Sequence, residues 1–293
     1  PFLDIRLEAV FTRAGQRFVV PGHFAADGNA AQTSADSGNQ WRIYFAPPDP
    51  GMWNYRISFF RGINVATTDD TLTATPLFLH GATGAFAVSP STEMPPDLRL
   101  RGPLQAVNRR HYRFAGDSSF FLAFGPTGPE NLLAYSGFDS THHQFNAHPL
   151  PNYAPHLIDY RAGDPVWQGN KGREVIGAVN YLSDQRLNCL SVLLNNAQGQ
   201  GKNVWPYLTF QDSLVFDVSK LDQWHLLFEY AQHKGIVLRL MLTEAEHEGN
   251  FGAAFLSRAK RLYYREMVSR FGHLPGLIWD MCEGTQLGFD RLE

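Results

Sequence analysis

The feature that most constrains this chain is a change in its hydrophobic pattern near residue 116. Before that point, polar and apolar residues alternate in short segments at 4–11, 17–22, 41–45 and 53–60, and this two-residue period is typical of half-buried β-strands. After it, continuous apolar runs alternate with helical stripes, a pattern typical of buried parallel strands and crossover helices. The sequence therefore predicts two regions of different architecture.

The first region, residues 1–88, is predicted to be a small antiparallel β-sandwich. Its segments are separated by breaker residues, and the strongest cluster is Ala-Pro-Pro-Asp-Pro-Gly at 46–51. Short strands divided by turns at this spacing are typical of sandwiches. Residues 89–115 are predicted to be a linker and hairpin. The cations between Arg99 and Arg110 fit a solvated hairpin face better than a basic binding patch.

The second region, residues 116–293, is predicted to be an α/β domain. Apolar runs predict strands, and helical stripes predict helices between them; the strands lie at 120–124, 187–194, 236–242 and 277–281, and the helices at 175–182, 217–234 and 254–271. This alternation predicts parallel pairing with right-handed crossovers, in either an α/β barrel or an open doubly wound sheet. A barrel needs eight strands, so four strands would supply only its first half.

Composition excludes several functions. The net charge of -3 gives no basic field for phosphates, so nucleic acid is not an expected partner. No apolar run reaches the roughly 20 residues of a membrane helix. The segment 125–130 lacks the spacing of a phosphate-binding loop, and Cys189 and Cys282 are too few for a disulfide framework.

Polar and aromatic side chains recur after each predicted strand, where parallel α/β folds gather their functional groups. The candidates are Glu130, Asn131, Tyr135, Asp139, Trp205, Tyr207, Glu244 and Glu283. Carboxylates exchange protons with an acetal oxygen, amides bind hydroxyls, and aromatic faces stack on sugar rings. This mixture predicts carbohydrate chemistry, although each candidate also has a structural interpretation, as a solvated loop carboxylate or a core aromatic.

Histidines invite a metal interpretation between the first two predicted strands. His142, His143, His148 and His156 match no zinc-motif spacing. The sequence therefore predicts neither a metal site nor a cofactor.

Several stretches match a known arrangement. They are 18–24 and 41–47 in the first region, and 129–135, 138–141, 204–207, 216–224 and 262–266 in the second. On these stretches the chain resembles the DUF5060-type proteins, in which an N-terminal immunoglobulin-like domain precedes a glycoside-hydrolase-like (β/α)8 barrel. The resemblance implies a secreted or periplasmic protein that acts on polysaccharide.

The same resemblance implies a role for one carboxylate. Such barrels are similar to the retaining clan whose acid/base glutamate ends the fourth strand and whose nucleophile ends the seventh. Glu283 stands where the acid/base belongs, and the nucleophile would lie beyond residue 293. Relatives read Trp-Asn-Leu-Gly-Glu-Glu-Asn here, whereas residues 279–285 read Trp-Asp-Met-Cys-Glu-Gly-Thr, which keeps only the first glutamate.

These observations predict a glycoside hydrolase acting on polysaccharide, of the retaining type, or the N-terminal part of one. The alternative is a non-catalytic carbohydrate-binding or assembly protein on a hydrolase-derived scaffold. If the chain ends at residue 293, four parallel strands leave open edges, and a homodimer that completes the sheet is expected.

Overall fold

The structure, a computed structural model, describes residues 1–68, 71–107, 111–144, 147–197, 201–244, 251 and 256–281. The strands are β1 (Ile5–Arg13), β2 (Gln16–Pro21), β3 (His23–Phe24), β4 (Trp41–Arg42), β5 (Gly51–Arg61), β6 (Thr75–Pro76), β7 (Thr83–Val88), β8 (Leu104–Val107), β9 (His111–Phe114), β10 (Phe120–Phe121), β11 (Cys189–Leu193), β12 (Val237–Met241) and β13 (Leu277–Asp280). The α-helices are α1 (Ala30–Thr33), α2 (Arg173–Asp184), α3 (Val218–His233) and α4 (Arg258–Phe271). Short 3-10 helices occupy Val65–Thr67, Leu98–Leu100, Leu132–Ala134 and Ala154–Asp159. None of the helices within these ranges is long and apolar enough to cross a membrane.

The first region is built on one antiparallel sheet rather than two. Its strand order is β2-β1-β5-β6, with β7 also paired to β5, and β3 and β4 form a separate two-stranded pair. The expected immunoglobulin-like β-sandwich is therefore wrong. A sandwich needs a second full sheet, and in the described part of residues 1–88 only the two-residue strands β3 and β4 pair outside the first sheet. Pro47, Pro48 and Pro50 lie just beyond this pair, and proline offers no N–H for a strand ladder.

The second region contains a parallel sheet of order β11-β12-β13, with α3 and α4 as its crossovers. In register, Ser191 pairs with Arg239 and Arg239 with Ile278. Alternate residues, among them Val192 and Leu240, belong to the main hydrophobic core with α3 and α4. We call the opposite side, which carries Arg239, the inner face.

The expected half of a TIM-like barrel is also wrong. The predicted first strand, 120–124, forms β10, which pairs antiparallel with β9 in a separate sheet of order β10-β9-β8. Its apolar run predicted burial on both faces, yet Phe120 is 69% exposed and Leu122 85% exposed. In the part of the chain that the structure describes, small antiparallel and parallel sheets predominate over helices, and no sheet closes into a barrel.

Helix α3 confirms the helix predicted at 217–234. The residues that begin and end this helix act over a single turn, so they could be recognised in the sequence. The Asp217 side chain accepts a hydrogen bond from the Lys220 N–H at 2.9 Å and caps the first turn. At the other end Gly235 adopts a φ of +79°, a left-handed conformation that glycine takes without strain.

The two regions share one hydrophobic core, in which Phe2 and Phe24 pack with residues of α3 and α4. Arg270 joins them through polar contacts. Its side chain is 1% exposed and donates to Glu266 Oε1 at 2.7 Å, Asp222 Oδ1 at 2.8 Å and the Phe24 carbonyl at 2.8 Å. A buried guanidinium with all its partners in place ties β3 to both crossover helices.

Replacement of Arg270 by methionine should lower the free energy of unfolding by about 3–5 kcal/mol, because the buried Glu266 loses its ion-pair partner and Asp222 keeps only the more distant Arg42. Urea denaturation measures the change. Arg261→Met is the matched control, since Arg261 is exposed on the same helix and should change stability by less than about 0.5 kcal/mol. Equal urea midpoints for R270M and R261M would contradict this role.

Candidate functional site

The inner face of the parallel sheet carries an ion pair. Arg239 lies on β12, and its Nε and Nη2 atoms contact Asp280 Oδ2, on β13, at 3.1 and 2.5 Å. The Arg239 side chain is 47% exposed and that of Asp280 is 23% exposed. Both groups are therefore fixed by each other and still open to solvent.

A cavity of about 380 Å³ lies against this ion pair. Tyr112, Gly125 and Trp279 are among the residues that line it, and Trp279 also packs against the main hydrophobic core. Gly125 is needed there, because a Cβ atom would stand 1.7 Å from the Cys189 carbonyl oxygen. We call this cavity the inner groove.

Polar residues meet beyond the end of β11. The Asn196 side chain donates to the Glu130 carbonyl at 2.6 Å and accepts from the Val204 N–H at 2.8 Å. A Cβ atom on Gly201 would stand 3.0 Å from Asn131 Oδ1 and 2.3 Å from Asn196 Nδ2. The structure thus brings together Glu130 and Asn131, two of the residues predicted from the sequence.

The other carboxylates predicted at strand ends follow β12 and β13. Glu244 lies three residues beyond β12 and is 2% exposed. The Leu242 N–H donates to the Asp280 carbonyl at 2.9 Å, so the chain leaving β12 runs beside the end of β13. Glu283 comes three residues after Asp280 and lies outside the described residues.

Tyr135 was predicted to contact substrate, and its ring lies in the core. It is 4% exposed, packs edge-on against Phe138 and Trp167, and donates from its hydroxyl to Glu174 Oε2 at 2.6 Å. Burial, together with the hydrogen bond to Glu174, raises the pKa of this phenol. Its contacts hold the 132–138 segment against α2.

Trp205 and Tyr207 are each 1% exposed. The ammonium of Lys220 stands 4.7 Å from the centre of the Trp205 ring and donates to the Trp205 carbonyl. Burial lowers the pKa of Lys220 to about 8 despite nearby carboxylates. Tyr207 packs against Phe216. Neither ring presents an open face for stacking on a sugar in this structure.

Asp139 joins the two regions. Its carboxylate accepts hydrogen bonds from Ser34, Gln168 and Ser219. Burial alone would raise the pKa of Asp139, and these hydrogen bonds with the charge of Lys171 lower it below its ordinary value. Ser34 belongs to the first region and Ser219 to α3, so the contacts are structural; substrate contact by Asp139 stays a prediction.

Sequence reasoning missed Arg239 and Asp280 as site residues. A signal for Arg239 was present, because it is the one charge within the apolar run 236–242. A charge in the middle of a strand predicted to be buried on both faces requires either a partner or an open face, and here it has both.

Comparisons with known proteins give two findings. Residues 1–60, about a fifth of the chain, match the family described as "Domain of unknown function (DUF5060)". Among solved structures, the chain is similar to a "putative glycoside hydrolase from Bacteroides vulgatus ATCC 8482", with a TM-score of 0.58 and 15% sequence identity. No curated protein matches the chain.

The alignment with this structure covers 96% of the chain and 45% of the bacterial protein. The chain therefore spans less than half the length of that relative. At this level of identity the similarity is one of fold.

Proposed function

We propose that this protein is polysaccharide-acting and of the glycoside hydrolase type, and that it binds its substrate along the inner groove. The observation that carries the proposal is the Arg239–Asp280 pair, which is partly exposed in a cavity on the inner face of a parallel sheet, with Asp280 at the carboxyl end of β13. Ligands of α/β folds bind near that end of the strands. A fixed ion pair beside an aromatic residue, Tyr112, suits sugars, which present hydroxyls on their edges and C–H groups on their faces.

The comparisons bear on the class of ligand. The similarity of fold to a protein described as a putative glycoside hydrolase and the DUF5060 match support the same class, and a secreted or periplasmic location fits a polysaccharide substrate.

In the proposed reaction Glu283 is the acid/base. Because β12 and β13 are adjacent parallel strands, their ends lie about 4.8 Å apart, and Glu244 and Glu283 follow those ends. Glu283 in its protonated form donates to the glycosidic oxygen as the bond breaks, then accepts a proton from the attacking water. Glu244 contributes a substrate contact, and the retaining scheme requires a further carboxylate as nucleophile, about 5 Å from the acid/base.

Replacement of Arg239 by alanine should weaken polysaccharide binding roughly tenfold or more, because a charge-assisted hydrogen bond is worth about 1.5–3 kcal/mol. Affinity electrophoresis against a panel of soluble polysaccharides identifies a ligand, and titration calorimetry measures the affinity. Arg186→Ala is the control, since Arg186 is exposed and lies outside the inner groove. Unchanged affinity in R239A would show that the inner groove does not bind the polysaccharide.

Replacement of Glu283 by glutamine should reduce the release of reducing ends at least about 100-fold, the usual contribution of general acid–base catalysis, and leave polysaccharide affinity within about twofold. Asp184→Asn, an exposed carboxylate on α2, should retain full turnover. Wild-type turnover in E283Q would show that Glu283 is not the acid/base.

A second candidate function is carbohydrate binding without catalysis, and a cleft of about 570 Å³ on the sheet of the first region favours it. Trp41, Phe59 and Phe78 line this cleft together with Asp36 and Asn39. Phe78 is 88% exposed. Phe78 is the exposed ring among these three, and an exposed aromatic ring flanked by carboxylate and amide groups is a usual component of a sugar-binding cleft.

If this cleft is the binding site, Phe78→Ala should weaken polysaccharide affinity about tenfold, the equivalent of one aromatic contact. Phe120→Ala serves as the control, because Phe120 is also exposed and lies on β10. Binding that depends on Phe78, without release of reducing ends by the wild-type chain, would favour this second function. Unchanged affinity in F78A would dismiss the cleft.

A further inference from the structure

Two histidines and a glutamate converge between α3 and the segment that leads from α4 into β13. His225 and Glu229 lie one turn apart on α3, and His273 follows α4. The two imidazole Nε2 atoms are 3.2 Å apart, and Glu229 Oε1 lies 3.6 Å from the first and 3.8 Å from the second. Among the His, Cys, Asp and Glu side chains within the described ranges, these three form the group whose ligand atoms lie close enough together to bind one metal ion.

The three separations match a coordination polyhedron better than a hydrogen-bonded cluster. Zinc–nitrogen and zinc–oxygen bonds of about 2.0–2.2 Å place neighbouring ligand atoms about 3.3–3.6 Å apart on a tetrahedron. A hydrogen bond explains the contact between the imidazoles, but 3.6 and 3.8 Å are too long for hydrogen bonds to the glutamate. Three ligand atoms at such mutual distances can occupy one face of a tetrahedron.

The ligand set is held in position. The ring of Tyr44 stacks on both imidazoles, with centroid distances of 4.6 Å to His225 and 4.7 Å to His273. The two histidine side chains are 11% and 14% exposed, whereas Glu229 is 41% exposed. The rings are fixed by packing, and the carboxylate remains able to adjust to an ion.

The fourth vertex has access to solvent. Glu229 and His273 line a cavity of about 250 Å³, whose wall also includes Pro47 and His233. A water molecule in this cavity can complete four coordination. The set of two imidazoles and one carboxylate is typical of zinc and of other divalent transition metals.

We propose that His225, Glu229 and His273 bind one divalent transition metal ion of the zinc type, with water as the fourth ligand. Tyr44 belongs to the first region and the three ligands to the second, so the ion strengthens the junction between the regions. His273 precedes β13 by four residues, so the site is at the amino end of that strand, where parallel α/β folds place stabilising rather than catalytic groups. The proposal is independent of polysaccharide binding.

The test uses the whole chain without a histidine tag, stripped with chelator and titrated with Co²⁺, whose visible absorption reports tetrahedral coordination. The wild-type protein should bind one Co²⁺ with saturation, and Zn²⁺ should displace it. Glu229→Gln and His273→Gln should each lower the affinity roughly tenfold or more. Glu229 is partly exposed, so E229Q should keep its fold, which circular dichroism verifies.

His233→Gln is the matched control, because His233 is exposed on the same helix and lines the same cavity. It should bind Co²⁺ like the wild-type protein, and Zn²⁺ should raise the melting temperature of both by more than that of E229Q. The proposal is overturned if the folded wild-type chain shows no saturable one-to-one binding. It is equally overturned if E229Q and H273Q retain the wild-type affinity, or if H233Q loses it.

Discussion

The buried guanidinium of Arg270 is the interaction on which the arrangement of the two regions depends. A cation removed from water costs several kcal/mol unless its donors are satisfied, and here its partners come from α3, from α4 and from the backbone at Phe24. The helices that cover β11–β13 are thereby tied to β3 of the first region. Asp139 makes a second tie near the start of α3, to Ser34. Arg270 and Asp139 thus fix the helices that pack on the parallel sheet. The sheet and its helices then form a rigid support for the inner groove and for the histidine cluster.

The parts of the fold that depend on neighbouring residues could be predicted from the sequence, and the parts that depend on distant pairing could not. Helix α3 begins and ends within a residue of the prediction, because the Asp217 cap and Gly235 act over a single turn. The apolar run 120–124 predicted a parallel strand, but its pairing with β9 is decided by a segment that apolar periodicity does not identify. A barrel needs every strand to pair on both sides until the sheet closes. The alternation of strands and helices does not contain that information, so the barrel predicted from it was wrong.

The candidate site shows the same division. Glu130 and Asn131 were predicted because they follow an apolar run, and position after a strand is visible in the sequence; their contact with substrate stays a prediction. Trp205 is buried by parts of the chain that are distant in sequence, and the local pattern could not reveal this. Its predicted role in stacking on a sugar rested on residue type alone. The spacing of His225 and Glu229 on one helix face is visible as well, but the third member of that cluster arrives from the end of a different helix.

The boundary of the family match has a consequence for how such proteins evolve and are recombined. The match covers residues 1–60 and ends one residue before β5 does, yet β5 pairs with β6 and β7, which extend the sheet to Val88. Phe2 and Phe24, which also lie within the matched segment, pack in the main core with helices more than a hundred residues away. The matched segment is therefore not an independent folding unit. Grafted onto another protein, it would leave β5 without its partners β6 and β7 and would expose Phe2 and Phe24. We therefore expect it to be inherited together with the α/β region that follows it.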